Sequence, residues 1–462
     1  MRKIFFICLF LLLCSNCFSV IWYVSEGGNG SRDGSSWSNA AADFPDLFQN
    51  PFNVPGKTQG SIKPNVQDTI FVSEGTYSPI LLWYDDSTQT NSFENEIHIY
   101  GGFKGWENSL RERSGWSNHP SIIDAQNLTR CIWIESYKKN NNQYVKHIVI
   151  DGFTLVNGYG QGGAIRVVNE TPLLSNLIVK ENEGFPILYF ENARDTFDRY
   201  LGNTILNNCI VYNNTIVEPP YNMPFHNAII SALQSDVRFT NNTMVNNETD
   251  LNRSYFFNLV YNSTVWVDNC IIYFNDIFGE ELNLPCNIIY RFSNIEKSNG
   301  SIIWNGLWQG TDGGNNIDKN PHFVNVLNQD YHLSNKSPCI NAGSFNPRYN
   351  IIIAYSYLNM NYYHNYDIEG KDRLVQNQID MGAYEYQEQL NYAPINQEMS
   401  ENHNVFNIDY DKIVLFDLTG VIVAEISNES DIYSLVLTKG IYCISYYKNN
   451  LLIFSDKLVI NN

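Results

Sequence analysis

A seven-residue motif that returns through the middle of the chain limits the possible folds more than any other feature: GFTLVNG from residue 152, NLIVKEN from 176, NCIVYNN from 208, NTMVNNE from 242 and NCIIYFN from 269. A near-constant motif on a variable period of this size marks a solenoid, in which one part of each coil is fixed and the loops vary. Each motif is followed by a second short apolar run, such as AIRVV (164–168), ILYF (187–190), AIISAL (228–233) or FFNLV (256–260). None holds a 3.6-residue period over ten or more residues, so these segments read as strands. Stacked coils place equivalent residues about 4.8 Å apart, and like side chains then form ladders. One ladder is expected at Asn176, Asn208, Asn242 and Asn269. A second is expected at Asn182, Asn214 and Asn275, with Glu248 in the fourth coil. A buried amide can donate to one coil and accept from the next, which satisfies backbone groups at the corners. The expected architecture is all-β, a right-handed parallel β-helix solenoid. Cys209 and Cys270 should point the same way with Thr243 between them, beyond disulfide reach. Ile210 is expected to face the coil interior.

The ends of the chain read differently. From Asn404 to Asn462, alternating apolar residues surround Thr419-Gly420, Lys439-Gly440 and Asn449-Asn450. These are hairpin signals, and they predict a small C-terminal β-sandwich. At the other end Arg2-Lys3, the apolar run Ile4 to Leu13 and Cys17-Phe18-Ser19 have the order of a signal peptide. Leu13 and Asn16 precede Cys14 and Cys17 where lipid attachment wants a small residue. No stretch reaches the roughly 18 apolar residues of a transmembrane helix. The expected order is a signal peptide (1–19), a cap with the first coils (20–145), the β-helix (146–387), a polar linker (388–403) and the C-terminal domain (404–462).

With 29 Lys and Arg against 48 Asp and Glu, the net charge is −19. That balance argues against nucleic acid as a partner and suits an exported protein, expected to be a monomer, that meets cations or neutral glycans. Beyond the leader, Cys131, Cys209, Cys270, Cys286, Cys339 and Cys443 are too few for a disulfide scaffold in a chain of 462 residues.

Several long segments carry a family resemblance. WYVSEGGNGSRDGSSWSNA near the start, DTIFVSEGTYSP (68–79), IYGGFKGWENSLRERSGWSNHPSIIDAQN from Ile99 and HIVIDGFTLVNGYGQGGAIRVVN resemble right-handed β-helix proteins of Bacteroidetes, loosely related to pectate-lyase-like and polymorphic outer-membrane-protein folds. NNIDKNPHFVNVLNQDYHLSNKSPCINAG, followed by YDIEGKDRLVQNQIDMGAYEYQ, resembles the choice-of-anchor Q ending. The last sixty or so residues, LFDLTG through KGIYCISY, resemble the sorting domain of the type IX (Por) secretion system. The resemblance implies export through the periplasm to the cell surface or medium, with the type IX machinery as a partner. It implies no particular chemistry.

Enzymes of this architecture build their sites from acids and bases at matching positions on successive coils. A lyase removes the proton α to a uronate carboxylate with a basic residue, commonly beside Ca²⁺, and a glycosidase uses an acid pair. The candidates are Asp151, Arg166 and Asp268, with Lys180, Asp236 and Arg238 behind them. The positions equivalent to Asp151 are Ser175, Asn207 and Asn241, so no continuous acidic ladder emerges. Asp312 and Asp318, in the run DGGNNID, are the candidate Ca²⁺ ligands, without the alternating spacing of an EF-hand. No other cofactor is implied. Gly158-Tyr159-Gly160-Gln161-Gly162-Gly163 opens a strand, where a dinucleotide loop needs a helix, so it reads as a turn between coils. Trp83, Trp106, Trp116, Trp133, Trp266, Trp304 and Trp308 can line a sugar-stacking groove or fill a core. The function expected from all this is non-catalytic glycan binding or adhesion on a rigid rod; the alternative is a lyase or hydrolase acting on an acidic polysaccharide.

Overall fold

The computed structural model describes residues 20–47, 68–85, 97–387, 411–416, 422–427, 440–448 and 451–460, except for 114, 138–147, 195–202, 221–226, 252–253, 278, 284, 305–307, 345–365 and 376–377. The leader 1–19, the linker 388–403 and the turn residues Thr419, Gly420, Lys439, Asn449 and Asn450 lie outside them. The chain divides into two compact units, Met1–Glu388 and Gln389–Asn462.

The first unit is a parallel β-helix with three long faces. The first face has ten strands, from Ile21–Val24 to Thr311–Asp312, and each coil then adds a strand to an eight-stranded second face and a seven-stranded third face. In the coil that begins at Ile148–Asp151, for example, Phe153–Val156 lies on the second face and Ile165–Val168 on the third. Successive coils pair in parallel throughout, as Leu174 with Ile150 and Leu206 on the first face. A four-stranded sheet of two-residue strands, Tyr159–Gly160 to Glu248–Thr249, fills the corner between the second and third faces.

The corners explain the asparagines. Between the first and second faces the chain turns on one residue with φ near +55°: Asn176 (53°), Asn208 (55°), Asn241 (55°) and Asn269 (54°). Asn tolerates this left-handed backbone better than other non-glycine residues. The strand register, Ile210 to Thr243 to Ile271, therefore corrects the expected ladder: Asn241 belongs to it and Asn242 does not. Asn242 falls in line with Cys209 and Cys270 and points into the core, where it accepts from the Cys209 N–H at 2.7 Å and donates to the Leu206 carbonyl at 2.9 Å. The residue between the two cysteines is thus Asn242, not Thr243, and both thiols are free and buried. The same one-residue slip places Asn247, not Glu248, in the second ladder. Asn182, Asn214, Asn247 and Asn275 stack inside the coils, each Nδ2 donating to the next Oδ1 at 2.9 Å.

Ile210 also departs from expectation. Cys209 and Val211 join the interior core, whereas Ile210 packs on the outer surface of the second face with Phe323, Tyr331, Leu333, Ile368 and Met381. After the last coil the chain returns along that face as a strap, described over 317–344, 366–375 and 378–387. The strap is held by Asn208 Nδ2 to the Tyr366 carbonyl (2.7 Å), Asn246 Nδ2 to the Tyr331 hydroxyl (3.0 Å) and the Gly382 N–H to the Asn269 carbonyl (2.7 Å). A row of isoleucines on a sheet face needs such a cover, since each buried side chain of this size contributes about 1.5–3 kcal/mol.

In the second unit Lys412–Phe416 pairs antiparallel with Ile422–Ile426 on one side and with Gly440–Lys448 on the other, and Leu451–Ile460 completes a four-stranded sheet. No helix among the described residues is long and apolar enough to cross a membrane.

Candidate functional site

A cluster of arginines, aromatic rings and carboxylates lies on the outside of the third face, with Arg130, Trp133 and Arg166 part-exposed and Tyr189 and Glu135 buried. Strand pairing puts Trp133, Arg166 and Tyr189 in one outward row on three successive coils. The Arg166 guanidinium lies 5.8 Å from the Trp133 ring and 4.9 Å from the Tyr189 ring, so it is held between two aromatic neighbours. Arg130, at the start of the same turn of chain, covers Trp133 at 4.6 Å. The next outward row carries Glu135 and Glu191 on either side of Val168. Glu135 accepts from the Trp133 indole (2.7 Å) and lies 3.7 Å from Arg166. Glu191 accepts from the Tyr189 hydroxyl (2.9 Å) and lies 3.9 Å from Arg166.

The glycine-rich turn sets this geometry. The Gln161 carbonyl accepts from Arg130 Nε at 2.9 Å and its side-chain oxygen accepts from Arg166 Nη1 at 2.5 Å. Close backbone packing at the turn leaves no room for side chains: a Cβ on Gly158 would meet the Gly163 carbonyl at 1.9 Å, and one on Gly163 would meet the Glu183 carbonyl at 2.2 Å. The turn between coils is therefore also the clamp for both arginines. Burial, and then the Arg166 charge, lower the Arg130 guanidinium to about 10, still cationic at neutral pH. Burial followed by the Glu191 charge pushes the Tyr189 phenol up, so it remains a donor.

Arg166 joins this cluster; the other two catalytic candidates lie elsewhere. Asp151 and Asp268 share an outward row of the first face, separated by Ser175, Asn207 and Thr240. Asp151 is fully buried, bound by Arg113 Nη2 at 2.5 Å and Asn176 Nδ2 at 2.7 Å. Burial pushes its carboxyl up, and Arg113 and Asn176 pull it part of the way back. Asp268 is gripped by Arg291 at 2.6 and 2.9 Å, with Arg238 at 3.9 Å. These are sealed ion pairs, not an acid and base facing a groove. Lys180 pairs with Glu181 at 3.2 Å, Asp236 with Arg194 at 2.9 Å, and Arg238 stacks on Trp266 at 4.5 Å.

Asp312 accepts from Ser301 Oγ, the Gly314 N–H and Asn316 Nδ2, and Asp318 accepts from the Asn299 N–H. Both carboxylates are taken up by the neighbouring 299–301 turn, and no cluster of three or more His, Cys, Asp or Glu able to hold a metal occurs among the described residues. Of the tryptophans, Trp116 stacks on Arg113 in the interior of its loop, Trp308 is core, Trp304 packs against that core and Trp106 is 60% exposed. The side chain of Trp83 lies outside the described residues. Sequence reasoning missed Arg130, Gln161, Glu135, Tyr189 and Glu191. The signal available was the alignment of AIRVV with CIWIE and ILYFE, which places Trp, Arg and Tyr at one position and Glu, Val and Glu at another.

No family model matches the sequence, and no curated protein matches it. Among solved structures, pectate lyase Pel9A aligns with 81% of this chain and 98% of its own, at 11% identity and a TM-score of 0.28.

Proposed function

We propose that this chain is an exported, surface-displayed β-helix protein that binds glycans without cleaving them, through the Arg130, Trp133, Arg166 and Tyr189 cluster. The observation that carries the reading is the division of labour between the two arginines. Arg166 is fixed by Gln161 and flanked by two carboxylates and two rings, whereas the terminal nitrogens of Arg130, though they feel the Glu135 charge, make no hydrogen bond or ion pair among the described residues. A half-buried indole with a guanidinium on it offers a sugar an apolar face and a donor edge together. The first-face acids support binding over catalysis, because both are neutralised within the fold.

The competing reading, a hydrolase or lyase, draws on Glu135 and Glu191. They occupy matching positions two coils apart, roughly 9.6 Å between backbones, on either side of Arg166. A glycan array probed with the purified chain, run beside assays for reducing ends and unsaturated uronate product, separates the two. Binding without product supports the proposal, and turnover abolished by Glu135→Gln or Glu191→Gln overturns it.

The second unit is proposed to be the type IX sorting domain, on the strength of its sequence resemblance and its compact antiparallel sheet. Deleting 404–462 should leave the coils folded and the protein trapped in the periplasm. A truncated chain that reaches the surface as efficiently as the full one refutes this assignment.

A further inference from the structure

The strap on the second face buries an unbalanced set of charges. Asp367, Asp380 and Glu385 are 0%, 1% and 3% exposed, and the cation among them is Arg373, 2% exposed. Arg373 donates to the carbonyls of Gly382 (3.1 Å) and Ala383 (2.7 Å) and reaches Glu385 at only 3.6 Å. Asp367 is satisfied by the N–H groups of Glu369, Lys371 and Glu385, and Asp380 by those of Asn341 and Tyr386. Glu385 accepts from the Asp380 N–H at 3.1 Å, and its Oε1 is buried without a partner. Ionising a carboxyl in that position is costly. At the strap's outer edge His332 lies between Asp330 (2.6 Å) and Glu369 (3.0 Å), stacked on the Tyr384 ring at 4.0 Å, while Lys371 also meets Glu369 at 2.5 Å. Beneath lie Ile178, Ile210, Tyr212, Val245 and Ile271 of the coils.

We propose that residues 366–375 and 378–387 form a pH-gated latch, which holds the strap closed in mildly acidic medium and releases it in mildly alkaline medium, uncovering an apolar sheet surface while the coils stay wound. The charge imbalance and the unpartnered Oε1 carry this inference, and the direction of each titration agrees with it. Burial raises the Glu385 carboxyl to about 8, so the closed state holds a proton that an open strap gives up. Closure is then strongest below the ordinary glutamate range and weakens as pH climbs toward 8. Asp367 and Asp380 are raised by burial in the same sense. His332 is raised chiefly by Glu369, so its contribution is present below the ordinary histidine value and fades as pH rises through the raised one. Glu369, lowered to about 2 chiefly by His332, is ionised across this whole window and opposes nothing. Burial also pushes up the neighbouring phenols and thiol, Tyr212, Tyr273 and Cys339 to about 12 and Tyr331 and Tyr384 in the same direction.

Hydrogen exchange on the full chain at about pH 5.5 and about pH 8.5, corrected for intrinsic rates, tests the latch. A proton held about tenfold more tightly by the closed strap than by the open one biases the closing equilibrium by the same factor, and exchange reads that equilibrium directly. The expected result is at least a tenfold loss of protection at 366–375 and 378–387 in the alkaline sample, with first-face strands such as Thr264–Asp268 unchanged. Glu385→Gln should abolish most of that difference. Strap protection independent of pH overturns the proposal, as does parallel loss from strap and coils, or a folded Glu385→Gln variant with the wild-type response. If the variant does not fold, the wild-type comparison alone decides.

Discussion

The first and third faces of the β-helix carry the same kinds of residue and use them in opposite ways. On the first face Arg113 and Asp151 are both fully buried, and Arg291 grips Asp268 with two hydrogen bonds. On the third face Arg166 lies farther from its carboxylates, at 3.7 and 3.9 Å, and Arg130 lies over an indole with no carboxylate in ion-pair contact among the described residues. A guanidinium whose donors are committed to a buried carboxylate is a structural bolt. One laid over a ring, with donors left over, can still recognise something. Residue type does not distinguish these cases, and neither does burial, since Arg166 and Arg291 are 13% and 15% exposed; the way each guanidinium's donors are paired does.

The sharpest way to break the comparison is to remove a bolt. Asp151→Ala removes the buried carboxylate that neutralises Arg113 and should cost about 3–5 kcal/mol, because the buried guanidinium loses its counter-charge. Urea unfolding monitored by circular dichroism reads this directly. A cost below about 1 kcal/mol would place the first-face pair in the class of exposed salt bridges and erase the distinction.

The interior sets the scale between the two faces. Asn214→Ala removes the acceptor of Asn182 and the donor to Asn247 in the stacked ladder, and should cost about 2–4 kcal/mol, since buried amide groups lose their partners on both sides. Asn208→Ala, at the outer corner, keeps the interior stack but places alanine at φ 55° and loses the hydrogen bond to the Tyr366 carbonyl, for about 1–2 kcal/mol. Thermal melts of the two variants should therefore rank Asn214 above Asn208; the reverse order would mean that the corners, and not the stack, hold the coils together.

Much of this fold is legible in the sequence, and the errors are instructive. The repeat announces parallel coils because a fixed motif on a variable period has few other solutions. The register failed by one residue in the fourth coil because NNTMVNN contains two Asn pairs, so side-chain identity allows two alignments. Backbone chirality allows one, with Asn241 at the left-handed corner. Ile210 was misplaced for a related reason: on the second face both surfaces are apolar, since the outer one is covered by a strap more than a hundred residues further along. Alternation of polar and apolar residues, which normally tells inside from outside, is absent there. The third-face cluster stayed hidden because its members come from three coils and a glycine turn, and ladders bring them together only once the register is known.

The smallest expected change in stability carries the most functional weight. Arg130→Ala removes a side chain with one hydrogen bond, from Nε to the Gln161 carbonyl, and one aromatic contact. Its loss should cost no more than about 1 kcal/mol, the range of a single net hydrogen bond. Arg166, Glu135 and Glu191 keep all their mutual contacts in this variant, so the face should stay intact. Glycan retention, however, should fall about tenfold or more, the worth of one charge-assisted contact of about 1.5–3 kcal/mol. Surface-immobilised glycans that respond to the intact chain provide the measurement, with Asp268→Asn as a control that perturbs the first face. If Arg130→Ala binds as well as the wild type while Asp268→Asn does not, the recognition surface lies on the first face, and the roles assigned to the two faces are exchanged.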